Sequence, residues 1–158
     1  MKKLIDIIEG LKIGSKTKVN KNTYKYHPKS RNELISIIDE IIGIKKDFID
    51  FNDIDVSEIT DMEDIFSWKS EITHIDISFW DVSNVKNMRQ MFCGCKNLEK
   101  IGNISIWNTK NLEDITGMFY GCKNLKDIGD LNNWDYSKIK SKQNAFSSVN
   151  KNIIPKWS

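Results

Sequence analysis

The segment WDVSNVKNMRQMFCGCKNL at residues 80–98 decides the fold, because most of its pattern recurs along the chain. WNTKNL at 107–112 and WDYSKI at 134–139 begin with tryptophans that are 27 residues apart, and GCKNL recurs at 121–125. Four phenylalanines lie 26 or 27 residues apart, namely Phe66, Phe92, Phe119 and Phe146. Self-similarity at such a period is typical of stacked arrays, and four repeats here cover about 51–157.

Each repeat, aligned on its phenylalanine, contains two kinds of apolar pattern. The first half has apolar residues at steps of three and ends in a close pair such as Met91 and Phe92, which indicates one face of a short helix. Asp81 or Ser83 would cap this helix, and Gly94 would end it. The second half, Leu-x-x-Ile, indicates a short strand. The pattern therefore predicts an α/β fold, a short leucine-rich-repeat solenoid with one short helix and one short strand per 26–27 residues.

The region ahead of the repeats predicts an α-helical N-terminal cap. Ser30 and Glu33 form a capping box followed by an isoleucine-rich run, which predicts a helix over about 31–42, ended by Gly43. The alternation in 48–56 predicts a strand that opens the array.

The length of 158 residues fits one domain, which the repeats divide into two parts. Residues 1–50 are predicted to form a basic arm and the capping helix, and residues 51–158 a four-unit solenoid with a degenerate last repeat. Residues 1–11 fit a short helix or a strand, and residues 14–26 fit a hairpin or a mobile arm.

Charge is nearly balanced in total, with 24 basic and 22 acidic residues, but it is segregated along the chain. Because the charges nearly balance, the net charge gives no reason to expect that the chain binds nucleic acid. Residues 12–31 contain seven basic residues and no acid, whereas residues 51–81 contain nine acids and one lysine. Such blocks have three interpretations: they form solvated faces, they form a surface for a partner, or they pair with each other within the chain. The candidate contacts of the basic arm are Lys16, Lys18, Lys21, Lys25, Lys29 and Arg31, through which nucleic acid is a less favoured partner.

The chemistry-bearing residues predict neither an enzyme nor a metal or cofactor site. The two histidines, His27 and His74, lie in no catalytic motif. Cys95 and Cys122 occupy the same repeat position and are predicted to be buried thiols, with Cys93 more exposed. Structural zinc needs four ligands, and no fourth cysteine or histidine has suitable spacing.

The N-terminal run MKKLIDIIEGLK resembles the start of a secretory signal, but acids interrupt its apolar stretch. No segment approaches the ~20 apolar residues that span a bilayer. The chain is therefore expected to be cytoplasmic, or a surface or secreted protein if a leader was removed.

The repeat resembles that of the BspA-type leucine-rich repeat proteins of bacteria, many of which are surface proteins. The marks of that repeat, WDVSNV, then M-x-x-M-F, then G-C, stand at 80–95 and mostly at 107–122. The resemblance extends over about 24–150 and implies the leucine-rich-repeat fold, but it says little about function.

The two middle positions of each Leu-x-x-Ile segment should point outward and form a partner-binding patch. These residues are Thr73, His74, Glu99, Lys100, Lys126 and Asp127. A second patch is conceivable at Trp80, Trp107 and Trp134, which share one repeat position; packing in the interior is the favoured interpretation.

The predicted function is a non-catalytic protein–protein binding module whose partner is another protein, with no membrane contact. One alternative is a phage or mobile-element encoded inhibitor that binds a host defence (CRISPR-type) nuclease. Another is a fragment of a bacterial surface adhesin. The chain is expected to be a monomer, or a dimer through the solenoid ends.

Overall fold

The computed structural model describes residues 23–44 and 48–158. Within them, helix α1 (Arg31–Ile44) precedes two short strands, β1 (Phe48–Asp50) and β2 (His74–Asp76), which pair in parallel. Three single-turn 3₁₀ segments follow, at Ile104–Ile106, Leu131–Asn133 and Lys151–Ile153. None of the helices described here is long and apolar enough to cross a membrane.

Several predictions concern residues that the structure does not describe. These are the short element at 1–11, most of the hairpin or arm at 14–26, and three candidate contacts of the basic arm, Lys16, Lys18 and Lys21.

Helix α1 is the helix predicted over 31–42, and its presence is confirmed. Ser30 Oγ accepts a hydrogen bond from the Glu33 backbone N–H at 3.3 Å, and the Glu33 carboxylate accepts one from a neighbouring backbone N–H. Leu34 and Ile38 on its inner face are fully buried. The helix continues through Gly43, which was predicted to end it.

The predicted leucine-rich-repeat solenoid, with one short helix and one short strand in each repeat, is wrong. The described residues form a small mixed α/β structure in which the only α-helix precedes the repeats and the only sheet has two strands of three residues. The strand predicted over 48–56 shortens to Phe48–Asp50. Turns, isolated parallel bridges and stretches without regular structure make up most of the repeat region.

Backbone geometry explains why the apolar steps of three do not form a helix. Met91 N–H donates to Met88 O at 3.3 Å, and Cys95 N–H donates to Phe92 O at 3.1 Å, so each step of three is a turn. Gln90 has a φ of +52°, a left-handed conformation that an α-helix excludes. The equivalent residues of the other repeats also have positive φ: Asp64, Gly117 and Asn144.

The residue predicted to cap the repeat helix caps a turn instead. The Asp81 carboxylate accepts from the Ser83 backbone N–H at 3.1 Å. Asp55 and Asp135 make the same bond to the residue two places on, at 3.1 and 3.0 Å. Aspartate at this position therefore specifies an Asx-turn, which competes with helix initiation.

Alternate backbone N–H groups of each repeat donate to the next repeat, and we call these bonds the inter-repeat ladder. From the second repeat to the third they run from Met88, Gln90, Phe92 and Gly94 to the carbonyls of Asp114, Thr116, Met118 and Tyr120, at 2.8–2.9 Å. Corresponding bonds join the first repeat to the second and the third to the fourth. The ladder satisfies the N–H groups that the turns leave unused.

The ladder places the repeated phenylalanines in one buried column. The Phe92 ring lies 5.2 Å from Phe66 and 5.4 Å from Phe119, measured between ring centroids, and is nearly parallel to both. Phe146 continues the column at 5.7 Å from Phe119. Phe92 is fully buried. This column contributes to one core that extends from α1 to the last repeat.

The repeated tryptophans form a second buried column. Trp80, Trp107 and Trp134 are 4%, 5% and 2% exposed, so they do not form a surface for a partner. Each indole N–H donates to a backbone carbonyl 29 or 30 residues earlier, at 2.8–3.2 Å. Trp157, which the repeat pattern did not predict, extends the column because its indole donates to Leu131 O at 3.0 Å.

Replacing Phe92 with alanine should lower the free energy of unfolding by about 3–5 kcal/mol, because it opens a cavity inside the column. Phe79→Ala is the matched control: that side chain is 73% exposed and its removal should cost less than about 0.5 kcal/mol. Urea unfolding followed by tryptophan fluorescence measures both. Equal losses in the two variants would contradict the arrangement of the phenylalanine column.

Candidate functional site

The six residues predicted to bind a partner lie in one band across three successive repeats. His74 forms a parallel bridge with Lys100, and Lys100 forms one with Asp127. The residue before each of these completes the band, which we call the row surface: Thr73, His74, Glu99, Lys100, Lys126 and Asp127. The structure brings all six together, and none of them is buried.

Backbone hydrogen bonds hold the row surface in register. Glu99 and Lys100 N–H both donate to Thr73 O, at 2.7 and 3.3 Å, and Lys126 N–H donates to Glu99 O at 3.0 Å. The spacing of the exposed side chains is therefore fixed by the same kind of bonding that joins the repeats. A surface ordered in advance loses less conformational entropy when it binds.

Buried isoleucines anchor the row surface from beneath. Ile75, Ile101 and Ile128 each follow a row residue in sequence and are at most 1% exposed. Successive side chains in an extended segment point to opposite sides, so burial of these isoleucines directs the preceding side chains outward.

Opposite charges alternate along the row surface. Lys126 Nζ lies 2.6 Å from Glu99 Oε2. The hydrogen bond from Lys126 lowers the pKa of Glu99, with smaller contributions from the charges of Lys126, His74 and Lys100. His74 Nδ1 lies 3.2 Å from Thr73 Oγ1, which restrains the imidazole. The surface therefore presents a mixed pattern of fixed charges.

Phe48 is a neighbour of the row surface that sequence reasoning missed. It pairs with His74 in the β1–β2 sheet and so extends the row of His74, Lys100 and Asp127 by one residue on the side of β1. Its side chain is 59% exposed, whereas the adjacent Ile49 is 2% exposed. The alternation in the sequence marked this stretch as a strand, but both of its faces contain large apolar residues, so it did not show which face is buried.

The described part of the basic arm contacts the acidic first repeat. Lys29 Nζ lies 2.8 Å from Glu58 Oε1, and Arg31 Nε donates to Glu63 O. The ammonium of Lys25 lies 4.9 Å from the centroid of the neighbouring tyrosine ring. Intramolecular pairing thus accounts for part of the segregated charge. Contact with nucleic acid through this arm stays a prediction.

The repeat cysteines are buried thiols. Cys95 Sγ donates to Phe66 O and Cys122 Sγ to Phe92 O, both at 3.0 Å. Burial raises the pKa of Cys95 to about 12 and also raises the pKa of Cys122. Cys93, predicted to be more exposed, is also buried, at 3% exposure. Across residues 23–44 and 48–158 no cluster of three histidine, cysteine or acidic side chains is placed to hold a metal ion.

These thiols should react slowly in the folded chain. At about pH 8, a thiol with a pKa near 12 has almost none of the reactive thiolate, and burial also blocks access. Labelling of Cys95 and Cys122 by Ellman's reagent should be at least about 100-fold slower in the native state than in concentrated guanidinium. Mass spectrometry of peptides assigns each site; equal rates would contradict the buried positions.

Comparison with known proteins finds one family. Residues 34–157 match a family model described as "Mycoplasma protein of unknown function, DUF285". The match covers well over half of the chain and includes most of α1, the four repeats and the row surface. Neither the curated proteins nor the solved structures contain a match.

Proposed function

We propose that this chain, which belongs to the family DUF285, is a non-catalytic protein-binding module that contacts its partner through the row surface. One observation carries the proposal. Exposed and half-buried polar side chains from three repeats form a continuous band whose spacing is set by backbone hydrogen bonds. Regular side chains on a rigid support are how repeat proteins recognise partners.

The chemistry of the band suits a protein surface. Glu99, Lys100, Lys126 and Asp127 alternate in charge, so a partner with the complementary pattern gains specificity more than affinity. Phe48 adds an exposed aromatic side chain at one end, and aromatic side chains are enriched among residues that dominate binding energy. The band would therefore combine one apolar anchor with a charged region that selects the partner.

A non-catalytic role is supported by the structural hydrogen bonds that the polar repeat residues make. The carboxylates of Asp81 and Asp114 accept from backbone N–H groups two residues on, at 3.1 and 2.7 Å. Asn84 and Asn111 donate to carbonyls of the previous repeat, each at 2.8 Å. These groups stabilise turns and contacts between repeats.

A closer kinship with the BspA-type repeat proteins is part of the proposal. It is supported by the motif WDVSNV, followed by M-x-x-M-F and G-C, at 80–95. A cytoplasmic location is supported by three cysteines without a disulfide, which is usual in reducing compartments. No specific observation favours the nuclease-inhibitor or adhesin alternatives.

Exchanging the charges of one ion pair tests the row surface. Glu99→Lys combined with Lys126→Glu keeps an internal pair but reverses the outward pattern, so it should weaken partner capture at least about tenfold. Glu58→Lys with Lys29→Glu is the matched control. That exposed pair has a similar contact, at 2.8 Å, and neither residue belongs to the row surface. Affinity capture from the native host followed by titration of the identified partner provides the measurement.

Two outcomes of the exchange would contradict the proposal. One is unchanged capture by the Glu99 and Lys126 variant. The other is a selective loss in the Lys29 and Glu58 control, which would place the partner elsewhere. Exposed ion pairs contribute little to stability, so both variants should unfold at nearly the same urea concentration as the parent chain.

Phe48→Ala should weaken binding of the same partner by about tenfold, because the exposed ring would lose its burial in the complex. The side chain is 59% exposed, so its removal should change the free energy of unfolding by less than about 0.5 kcal/mol. Titration calorimetry and urea unfolding separate the two effects. Ile106→Ala, which removes another exposed apolar side chain, is the control and should bind normally.

A further inference from the structure

The inter-repeat ladder ends at the fourth repeat. In the third repeat Ile115, Gly117, Phe119 and Gly121 donate their N–H groups forward. The equivalent groups of the fourth repeat have no acceptor within residues 23–44 and 48–158. We call these four N–H groups the donor edge: Lys142, Asn144, Phe146 and Ser148.

The donor edge carries donors only. The fourth-repeat carbonyls of Ser141, Gln143, Ala145 and Ser147 already accept from the third repeat, at 2.8–3.0 Å. The Lys142 and Asn144 carbonyls accept from turn N–H groups within their own repeat. In a two-fold pairing of this chain the four donor-edge N–H groups would face one another, so they need carbonyls from a different segment.

The C-terminal residues of the chain cover the hydrophobic core beneath the donor edge, so this end does not expose an apolar surface. Trp157 stacks on Trp134 with 6.4 Å between ring centroids and meets the Phe146 ring edge-on at 6.3 Å. Lys142 Nζ donates to Trp157 O at 2.6 Å. Phe146 is consequently only 8% exposed. The groups that lack a hydrogen-bond partner at this end are therefore the backbone N–H groups of the donor edge.

Positive charge surrounds the donor edge. Lys138 and Lys140 are the last members of polar rows whose earlier members, Asn111 and Glu113, they contact at 3.1 and 2.7 Å. Residues 134–158 contain five lysines and one aspartate. Acidic side chains would favour any segment that continued these rows, because opposite charges attract across neighbouring rows.

This chain does not itself offer a suitable occupant. Residues 1–22 contain six lysines and two acids, so their charge repels the edge. In a second copy the first repeat packs against its own α1, since Arg31 of the helix donates to Glu63 O and Asp39 of the helix pairs with Lys69. The charge complement must come from another protein.

We infer that the donor edge binds an acidic peptide segment of another protein, which follows the turns of the fourth repeat and continues the inter-repeat ladder by one further row. Main-chain carbonyls of the segment accept from the four donors, as the carbonyls of Asp114, Thr116, Met118 and Tyr120 do for the second repeat. Acidic side chains pair with the surrounding lysines, so binding weakens with salt. This surface acts independently of the row surface.

Amide hydrogen exchange measured by NMR tests the inference on the intact chain. In the free chain, the four donor-edge amides should exchange fast and the Met88, Gln90, Phe92 and Gly94 amides slowly. An acidic octapeptide with the sequence of residues 113–120, EDITGMFY, which supplies ladder acceptors within the chain, should slow exchange at the donor edge at least about tenfold. The same octapeptide with both acids replaced by lysine should not.

A pair of variants separates the backbone donor from the charge. Lys142→Ala removes the ammonium and keeps the N–H, whereas Lys142→Pro removes both, so the proline variant should bind the acidic octapeptide several-fold more weakly than the alanine variant. Three results would overturn the inference: no binding of the acidic octapeptide, binding that leaves the donor-edge amides unprotected, or protection of those amides already in the free chain. Circular dichroism checks that both variants fold.

Discussion

The inter-repeat ladder is the interaction on which the rest of the structure depends. Alternate N–H groups around each repeat phenylalanine donate to the following repeat, and the groups between them close turns within the repeat. Left-handed residues such as Gln90 make this alternation possible, because they turn the chain after every few residues. The backbone is thereby satisfied without a helix or a long strand in any repeat.

Because the ladder fixes register, side chains at equivalent positions contact each other in columns. Phenylalanine stacks on phenylalanine, and each repeat tryptophan bonds a carbonyl of the preceding repeat. Asparagine does the same in a polar setting, as when Asn111 donates to Ser83 O at 2.8 Å. The strict sequence repeat thus reflects contacts between repeats more than the needs of any single repeat.

The same register distributes charge along the molecule. The basic residues Lys29 and Arg31 lie against the acidic first repeat, and lysines close several polar rows at the opposite end. The near-neutral total conceals two ends of different character. One end is capped by α1 and its ion pairs, and the other presents backbone donors within a positive environment.

The sequence by itself determined the repeat boundaries, the buried columns and helix α1, because hydrophobicity and capping are properties of nearby residues. It did not determine the backbone of the repeats: steps of three fit a helix or a series of turns, and Gln90 carries no sign of its positive φ. Trp157 was missed because it lies 23 residues after Trp134 instead of 27. Only the tertiary structure decided the turns, the exposure of Phe48 and the donor edge. The pairing of Phe48 with His74 and the ladder bonds beside the turns join residues about 26 apart, and the donor edge exists where such a partner is missing. No local pattern encodes these long-range relations.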